Sequence, residues 1–343
     1  MRHLLAQIAP ALHLTRVSTA FAVVGNTWFV ILWTRANAGY EGGTGGGAGG
    51  GRVDLMGPLW PLLLGGALLA LGLYGFGASL NDVLDVRRDR LLRRDRMLPT
   101  GRISMDAAVA LIAGMLITAV LGATAFGTPG VLMTLLVAAA ILVYNAAGKF
   151  IPALGLVVLG LIFAGHMVIP NLQLRFLWPV WLVMTHALVV RAVTHRMARK
   201  VPRISRRAML AAFIGWVFWT GVILWLQWRR SSPAPPGADL SERSLWPEWV
   251  EPTAWIWPAA LALLFILVSW RKVLRYGAGP RSAEKIERYG ALWLSLYACG
   301  WLLGTDHINA GALLLALAAA GLIGMTVLRE LYGLLEQPIG YRR

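Results

Sequence analysis

Long apolar runs, separated by short stretches that hold nearly all the charge, constrain this 343-residue chain more than any other feature. A helix needs about 20 residues to cross a bilayer. Runs near that length lie at about 17–35, 57–80, 106–126, 129–145, 152–170, 175–195, 207–228, 253–270, 288–304 and 308–328. The 129–145 and 288–304 runs are short, so the sequence predicts nine to ten transmembrane helices. The runs lack two-residue alternation, and lipid admits only helices or closed barrels. The expected fold is an all-α, polytopic membrane protein, with residues 1–343 forming a single membrane-embedded domain.

Composition excludes the soluble alternatives. Hydrophobic residues make up 57% of the chain and charged ones 14%, with 16 Trp, which is too little charge to coat a soluble body of this size. The same apolar content excludes a disordered chain. A net charge of +16 would suit a nucleic-acid binder only on a soluble basic surface, so no nucleic-acid partner is expected. The surplus reads instead as topology. With ten alternating spans and an N-terminus inside, 26 of the 32 Lys and Arg fall in cytoplasmic segments, chiefly 87–102, 191–207 and 271–288. Both termini are therefore predicted to be cytoplasmic. The lone Cys299 sits in an apolar run and reads as a small buried hydrophobe.

Residues 1–16 read as an interfacial segment, with Arg2 and Arg16 near lipid head groups. Ala36-Asn37-Ala38 has the look of a signal-cleavage site, but the leader would be over-long and its apolar run is as long as a span. Gly42–Gly51 is a flexible linker by composition, without the Gly-Lys-Ser/Thr ending of a phosphate-binding loop. Residues 229–252, with five prolines and four acids, read as an irregular extramembrane loop.

The end of the second apolar run carries Asn81-Asp82-x-x-Asp85-x-x-x-Asp89. Carboxylates are costly near hydrocarbon and usually mark a polar cavity there. At ~100° per residue, positions 82, 85 and 89 share a sector of about 60°, with Asn81 on its edge. Convergent carboxylates repel unless a cation sits among them, and Mg²⁺ suits oxygen ligands whose shell is completed by water and substrate phosphates. The bland alternative is a juxtamembrane helix whose acids pair with neighbouring arginines.

This motif, followed by Asp95-Arg96-Met97-Leu98-Pro99-Thr100-Gly101-Arg102-Ile103-Ser104, resembles the first signature of the UbiA superfamily of intramembrane prenyltransferases. Met97 stands where proline is usual in that loop. Tyr144 and Lys149, in the loop after the fourth run, resemble a Tyr and a Lys that the family carries there. The resemblance implies helices around a central cavity, and a prenyl diphosphate whose tail lies among them with its diphosphate at the cytoplasmic end. It implies Mg²⁺ on Asp82, Asp85 and Asp89, with Lys149 stabilising the leaving oxygens. Asn81, Tyr144 and Arg96 are implied to bind substrate, and the prenyl acceptor to be a small molecule or a lipid.

One departure stands out. The family bears a second acidic motif at the end of the sixth helix, but Arg191 to Arg203 contains no Asp or Glu. Arg191, His195 and Arg199 recur every four residues and would share one helix face. Three explanations remain open: this cationic stripe binds the diphosphate directly; acids such as Glu284 and Glu287 substitute; or the protein binds an isoprenoid or other lipid without turning it over. A basic run that only anchors topology is the plain alternative. A transporter is suggested only by the number of runs, without internal symmetry of the motifs. His166 and His186 lie inside apolar runs and, as intramembrane polar groups, are expected to point inward.

Overall fold

The computed structural model describes residues 11–12, 14–41, 55–92, 96–231 and 244–336. Most of the 1–16 segment, the Gly-rich linker and the 232–243 part of the proline-rich loop lie outside them. Ten helices of 17 to 29 residues make up the bundle among the described residues, and there is no strand. They are α1 (Val17–Ala36), α2 (Leu59–Leu84), α4 (Met105–Ala123), α5 (Gly127–Ala146), α6 (Pro152–Val168), α7 (Trp178–Met197), α8 (Arg206–Ser231), α9 (Ile256–Tyr276), α10 (Pro280–Leu303) and α11 (Ile308–Glu336). A short α3 (Val86–Leu92) continues α2. Each long helix coincides with one apolar run, α10 beginning earlier, within charged sequence.

Local chemistry sets several of the starts. Pro152, Pro179 and Pro280 stand in the first turns of α6, α7 and α10, where the missing N–H costs nothing and the fixed φ suits a helix. Ser104 caps α4, its Oγ accepting from the Ala107 N–H at 3.1 Å. Such a cap contributes about 1 kcal/mol.

Among the described residues, five stretches are long and apolar enough to cross a membrane: Leu59–Leu84, Met105–Ala146 (α4 and α5 together), Arg206–Ser231, Pro252–Tyr276 and Ile308–Leu328. Large apolar side chains point outward along them, among them Leu64, Ile117, Leu136, Phe218 and Leu267. Water would penalise such a surface and lipid does not. The protein is an integral membrane protein.

Because lipid tails are as apolar as leucine, helix contacts here depend on close packing rather than on the hydrophobic effect. The seam between α2 and α4 shows how. A Cβ on Gly72 would lie 2.4 Å from the Ala119 nitrogen, and one on Gly122 would lie 2.3 Å from the Leu69 nitrogen. The backbones touch because those positions lack side chains. Around this pair, α1 packs on α2, α6, α10 and α11; α5 joins α2 to α6; and α7 joins α6 to α10. The result is a ring of helices about a central space.

The two ends of that space differ. One gathers the segments around 85–102, 149, 191–207 and 284–288, joined by bonds such as Arg88 Nη2 to the Val201 carbonyl at 3.3 Å. The other is solid. Trp33 stacks on Phe176 at 4.8 Å between ring centres, and Trp301 meets Phe176 edge-on at 5.1 Å. Within that plug Glu41 is buried, accepting from Trp33 Nε1 at 2.8 Å and from the Arg175 and Phe176 N–H groups at 2.6 and 3.1 Å. Residues 229–231 belong to α8 rather than to the irregular loop expected over 229–252; residues 244–251 are irregular and fold back: Val250 is buried and its carbonyl accepts from Trp246 Nε1 at 2.7 Å.

Substituting Gly72→Val is expected to push α2 and α4 apart and to cost about 1–3 kcal/mol, the range for overpacking. A lowered thermal midpoint in detergent checks this. Gly114→Ala in α4, where an added Cβ meets nothing within 4 Å, is the control expected to leave the midpoint in place.

Candidate active site

The space inside the ring is a cavity of about 1470 Å³ that opens among the charged segments. Its deeper wall is apolar, including Val23, Leu73, Ile162, Phe163 and Leu294. At the mouth it meets the end of α2. Asp85 caps that helix with φ −87° and ψ −1°, and the Asp89 N–H donates to the Asp85 carbonyl at 2.8 Å. The chain thus runs on into α3 almost without a break.

Continuity decides which acids face inward. Asn81, Asp85 and Asp89, spaced by four residues, line the cavity. Asp82 is held instead between two guanidinium groups, Arg96 Nη1 at 2.8 Å and Arg16 Nη2 at 3.3 Å from its Oδ1. The inward row is therefore 81–85–89 rather than the sector centred between 82, 85 and 89, and Asn81 belongs to its face. Rotation of α2 about its axis sets this, and the glycine seam with α4 fixes that rotation.

Each carboxylate has a cation. Lys149 Nζ donates to Asp85 Oδ1 at 2.8 Å and to Asn81 Oδ1 at 3.1 Å. Arg96 Nη1 reaches Asp89 Oδ2 at 2.9 Å as well as Asp82, tying together two acids seven residues apart. Lys149 and the three carboxylates are mostly buried, their side chains 9 to 15% exposed. Lys149 gets there on the turn Gly148–Phe150 after α5. Asn145, one turn earlier, donates from Nδ2 to the Ile141 and Gly77 carbonyls at 3.1 and 3.4 Å, which holds that helix end on α2.

The loop from 96 to 104 has a structural account for most of its motif. Gly101 has φ +70°, the left-handed region, where a side chain is strained by about 1 kcal/mol or more. Leu98 is buried with Leu14 and Ala108, against Val83, Val86 and Ile103, and Ser104 is the α4 cap. Met97, in the usual proline position, is also buried. Turn, apolar clasp and cap together hold Arg96 over the acids.

Across the cavity stands the basic wall. Arg191, His195, Arg199 and Lys200 all line it, and so do Tyr144, Glu284 and Glu287. The expected four-residue stripe is shorter than the sequence suggested. α7 ends at Met197, and Arg199 takes φ 50°, so it leaves the helix face that Arg191 and His195 share. The Lys200 N–H donates to the His195 carbonyl and the Arg199 N–H to the Arg196 carbonyl, both at 3.2 Å. This is the Schellman arrangement that closes a helix on a left-handed residue. His195 Nε2 lies 2.8 Å from the Pro202 carbonyl; a carbonyl only accepts, so this nitrogen carries the proton and pins the turn.

Arg16 carries no motif and was expected among lipid head groups; it instead reaches the site. Burial alone would lower its pKa, but Asp82, then Tyr74 and Glu287, together raise it above the ordinary arginine value. Glu287 is 3.4 Å from Arg191 and 3.9 Å from Lys200. Deeper in, His186 Nε2 donates to the Gly290 carbonyl at 3.0 Å and its Nδ1 accepts from Tyr297 at 3.2 Å. His166 also lines the cavity, and its ring nitrogens have no hydrogen-bond partner among the described residues. Both histidines point inward as expected.

With this geometry in hand, likeness to solved structures can be judged. A digeranylgeranylglyceryl phosphate synthase structure aligns with 88% of this chain and 99% of its own, at 16% identity and a TM-score of 0.51. The chain has the fold of that membrane enzyme. A UbiA homologue from Aeropyrum pernix K1 aligns over 90% of this chain and 96% of its own, at 18% identity and a TM-score of 0.42. A UbiA homologue from Archaeoglobus fulgidus bound to GPP and Mg²⁺ aligns over 91% and 99%, at 14% identity and a TM-score of 0.43. No protein-family model and no curated protein sequence matches the chain.

Removing Arg96 leaves Asp82 and Asp89 without their shared cation. Arg96→Ala is expected to cost about 2 kcal/mol, below the range for a fully buried pair because the arginine is a quarter exposed. Thermal unfolding in detergent, with Arg90→Ala on the exposed side of α3 as control, measures the difference.

Proposed function

We propose that the chain is a Mg²⁺-dependent membrane prenyltransferase of UbiA type, moving a prenyl group from a prenyl diphosphate to an electron-rich acceptor. The observation that carries this reading is the Asn81–Asp85–Lys149 arrangement, set at the mouth of a deep apolar cavity in this fold. An apolar tail fits among Leu73, Ile162, Phe163 and Leu294, while the diphosphate meets the charged mouth. The clustering of basic segments at that mouth favours a cytoplasmic face there, with both termini on the same side.

The donor set is compatible with Mg²⁺. Asp85 and Asp89 offer hard oxygens toward the cavity, and each commits one oxygen to a cation, which leaves the other for a metal. No three metal-binding side chains are gathered closely enough to hold an ion by themselves among the described residues. That suits Mg²⁺, commonly bound through one or two carboxylates plus substrate phosphates and water. Asp85 and Asp89 would hold it, with Asp82 beside them as the third acid. When bound, it neutralises charge on the leaving diphosphate.

The chain's own residues do the rest. Lys149 places an ammonium where charge grows on the leaving oxygen as the bond between C1 and oxygen breaks and its electron pair goes to the diphosphate. Asn81 orients Lys149 through its Oδ1. Arg96 keeps Asp82 and Asp89 apart from each other's charge. Tyr144, Arg191, His195 and Arg199 bound the space in which the diphosphate sits. The helices exclude water from the allylic cation until the acceptor's nucleophilic atom bonds to C1 and gives up a proton at the mouth.

The second reading is a relative that binds an isoprenoid without turnover, favoured by the basic wall that faces the acids. Turnover separates the two. Purified protein with Mg²⁺ and a panel of prenyl diphosphates and acceptors is expected to transfer the prenyl group, and EDTA to stop it. Asp85→Asn is expected to lower kcat/KM by about a hundredfold or more, and Lys149→Gln by about a hundredfold, with folding retained. Transfer by no acceptor across the panel, from protein that still binds prenyl diphosphate, would leave the non-catalytic reading.

A further inference from the structure

Arg191 and Lys200 share one counter-ion, Glu287, across 96 and 87 positions of sequence. All three line the cavity that Asp85 lines from the other side. Glu287 is half-exposed, and at 3.4 and 3.9 Å its contacts are longer than the 2.8 Å of Asp85 to Lys149. These are loose pairs of the kind that contribute little to stability. Arg191 is thus held in place but weakly engaged, and Lys200 reaches the same carboxylate.

Charge around the mouth points the same way. Of the charged side chains lining the cavity among the described residues, eight are basic and five acidic. The surplus is not spread evenly. On the α2 side each carboxylate has a close cation, Lys149 on Asp85 and Arg96 on both Asp82 and Asp89. On the α7 side Arg191 and Lys200 are set against Glu287, with Arg199 also lining the cavity, while Glu284 is taken up by Arg288 at 3.0 Å. Among the described residues, the wall opposite the acids is therefore richer in cations than in carboxylates. Arg199 and Lys200 reach it only because the left-handed turn at Arg199 folds the chain back over the mouth.

Resting on the prenyl diphosphate reading of this site, we propose that Arg191 and Lys200 form a clamp that binds the diphosphate directly, without a metal on their side. Glu287 is the group they exchange for it. In the resting state the carboxylate holds both cations at the mouth. An arriving diphosphate, with more charge and more acceptor oxygens, takes its place, and Arg191 gives it the forked contact that guanidinium makes with phosphate. Glu287 is then a competitor of the substrate, not a metal ligand. No bond is made or broken in this exchange. The α2 side would hold a metal through Asp85 and Asp89, and the α7 side supplies grip.

The two roles for Glu287 predict opposite signs, which makes the test sharp. Binding of inorganic pyrophosphate and of unreactive geranylgeranyl S-thiolodiphosphate to the full-length protein in detergent is measured by calorimetry, with Mg²⁺ and again with EDTA. The clamp predicts that EDTA weakens wild-type binding by less than about tenfold. It predicts that Arg191→Gln and Lys200→Gln each weaken the residual EDTA binding by about tenfold or more, the scale of one charged hydrogen bond. Glu287→Gln is expected to tighten binding about threefold to tenfold in both buffers. Thermal midpoints confirm folded variants, and Arg191→Lys, which keeps the charge but loses the fork, should fall between wild type and Arg191→Gln. Wild-type binding that needs Mg²⁺ outright would overturn the clamp and leave the transferase reading standing. So would weakening by Glu287→Gln. Absence of binding in either buffer would overturn both.

Discussion

The structure turns on carboxylates placed where hydrocarbon gives way to water. An acid at that depth is stable only with a cation against it, and three acids crowded on neighbouring turns need several. The protein meets this with Lys149 on Asp85, Arg96 shared by Asp82 and Asp89, and Arg16 on Asp82. These cations come from three separate parts of the chain. Satisfying the acids therefore gathers the start of α1, the end of α2 and the turn after α5 at one point. The site is a charge problem whose solution also fastens the ring of helices at its open end.

Fastening at the mouth works only if the helices arrive at the right rotation, and that is set deeper down. The contact of α2 with α4 is backbone against backbone at Gly72 and Gly122, which leaves little freedom to turn about the axis. The row Asn81, Asp85 and Asp89 faces the cavity as a consequence. Packing in the apolar half thus decides which polar groups meet the cavity. The loop that carries Arg96 is built by equally plain means: one glycine in a left-handed turn, one leucine in an apolar clasp and one serine as a helix cap.

Much of this was legible in the sequence, and the limits have physical reasons. Helices were readable because apolar run length is a local property, and each run became a helix. The acidic motif was readable because charge is conspicuous in apolar surroundings, and Lys149 because its loop resembles one that the family carries. The choice of row was not, since it depends on helix rotation fixed by a neighbour. Arg16 was missed because its partner lies 66 positions away and nothing local marks it. The Arg191–His195–Arg199 stripe was over-read: four-residue spacing implies a shared face only while the helix lasts, and α7 ends two residues short of Arg199. Glu287 was visible only as an acid on the expected side; the structure adds that it stands against Arg191 and Lys200.

The buried plug around Glu41 has a consequence of another kind. Trp33, Phe176 and Trp301 fill the bundle opposite the mouth, and a carboxylate clamped by backbone N–H groups stitches α1's end to the start of α7. A conduit would need two doors that open in turn, and one of these two ends is masonry. With that end filled, the opening this cavity shows is the charged rim, and any other way out would have to part the helices.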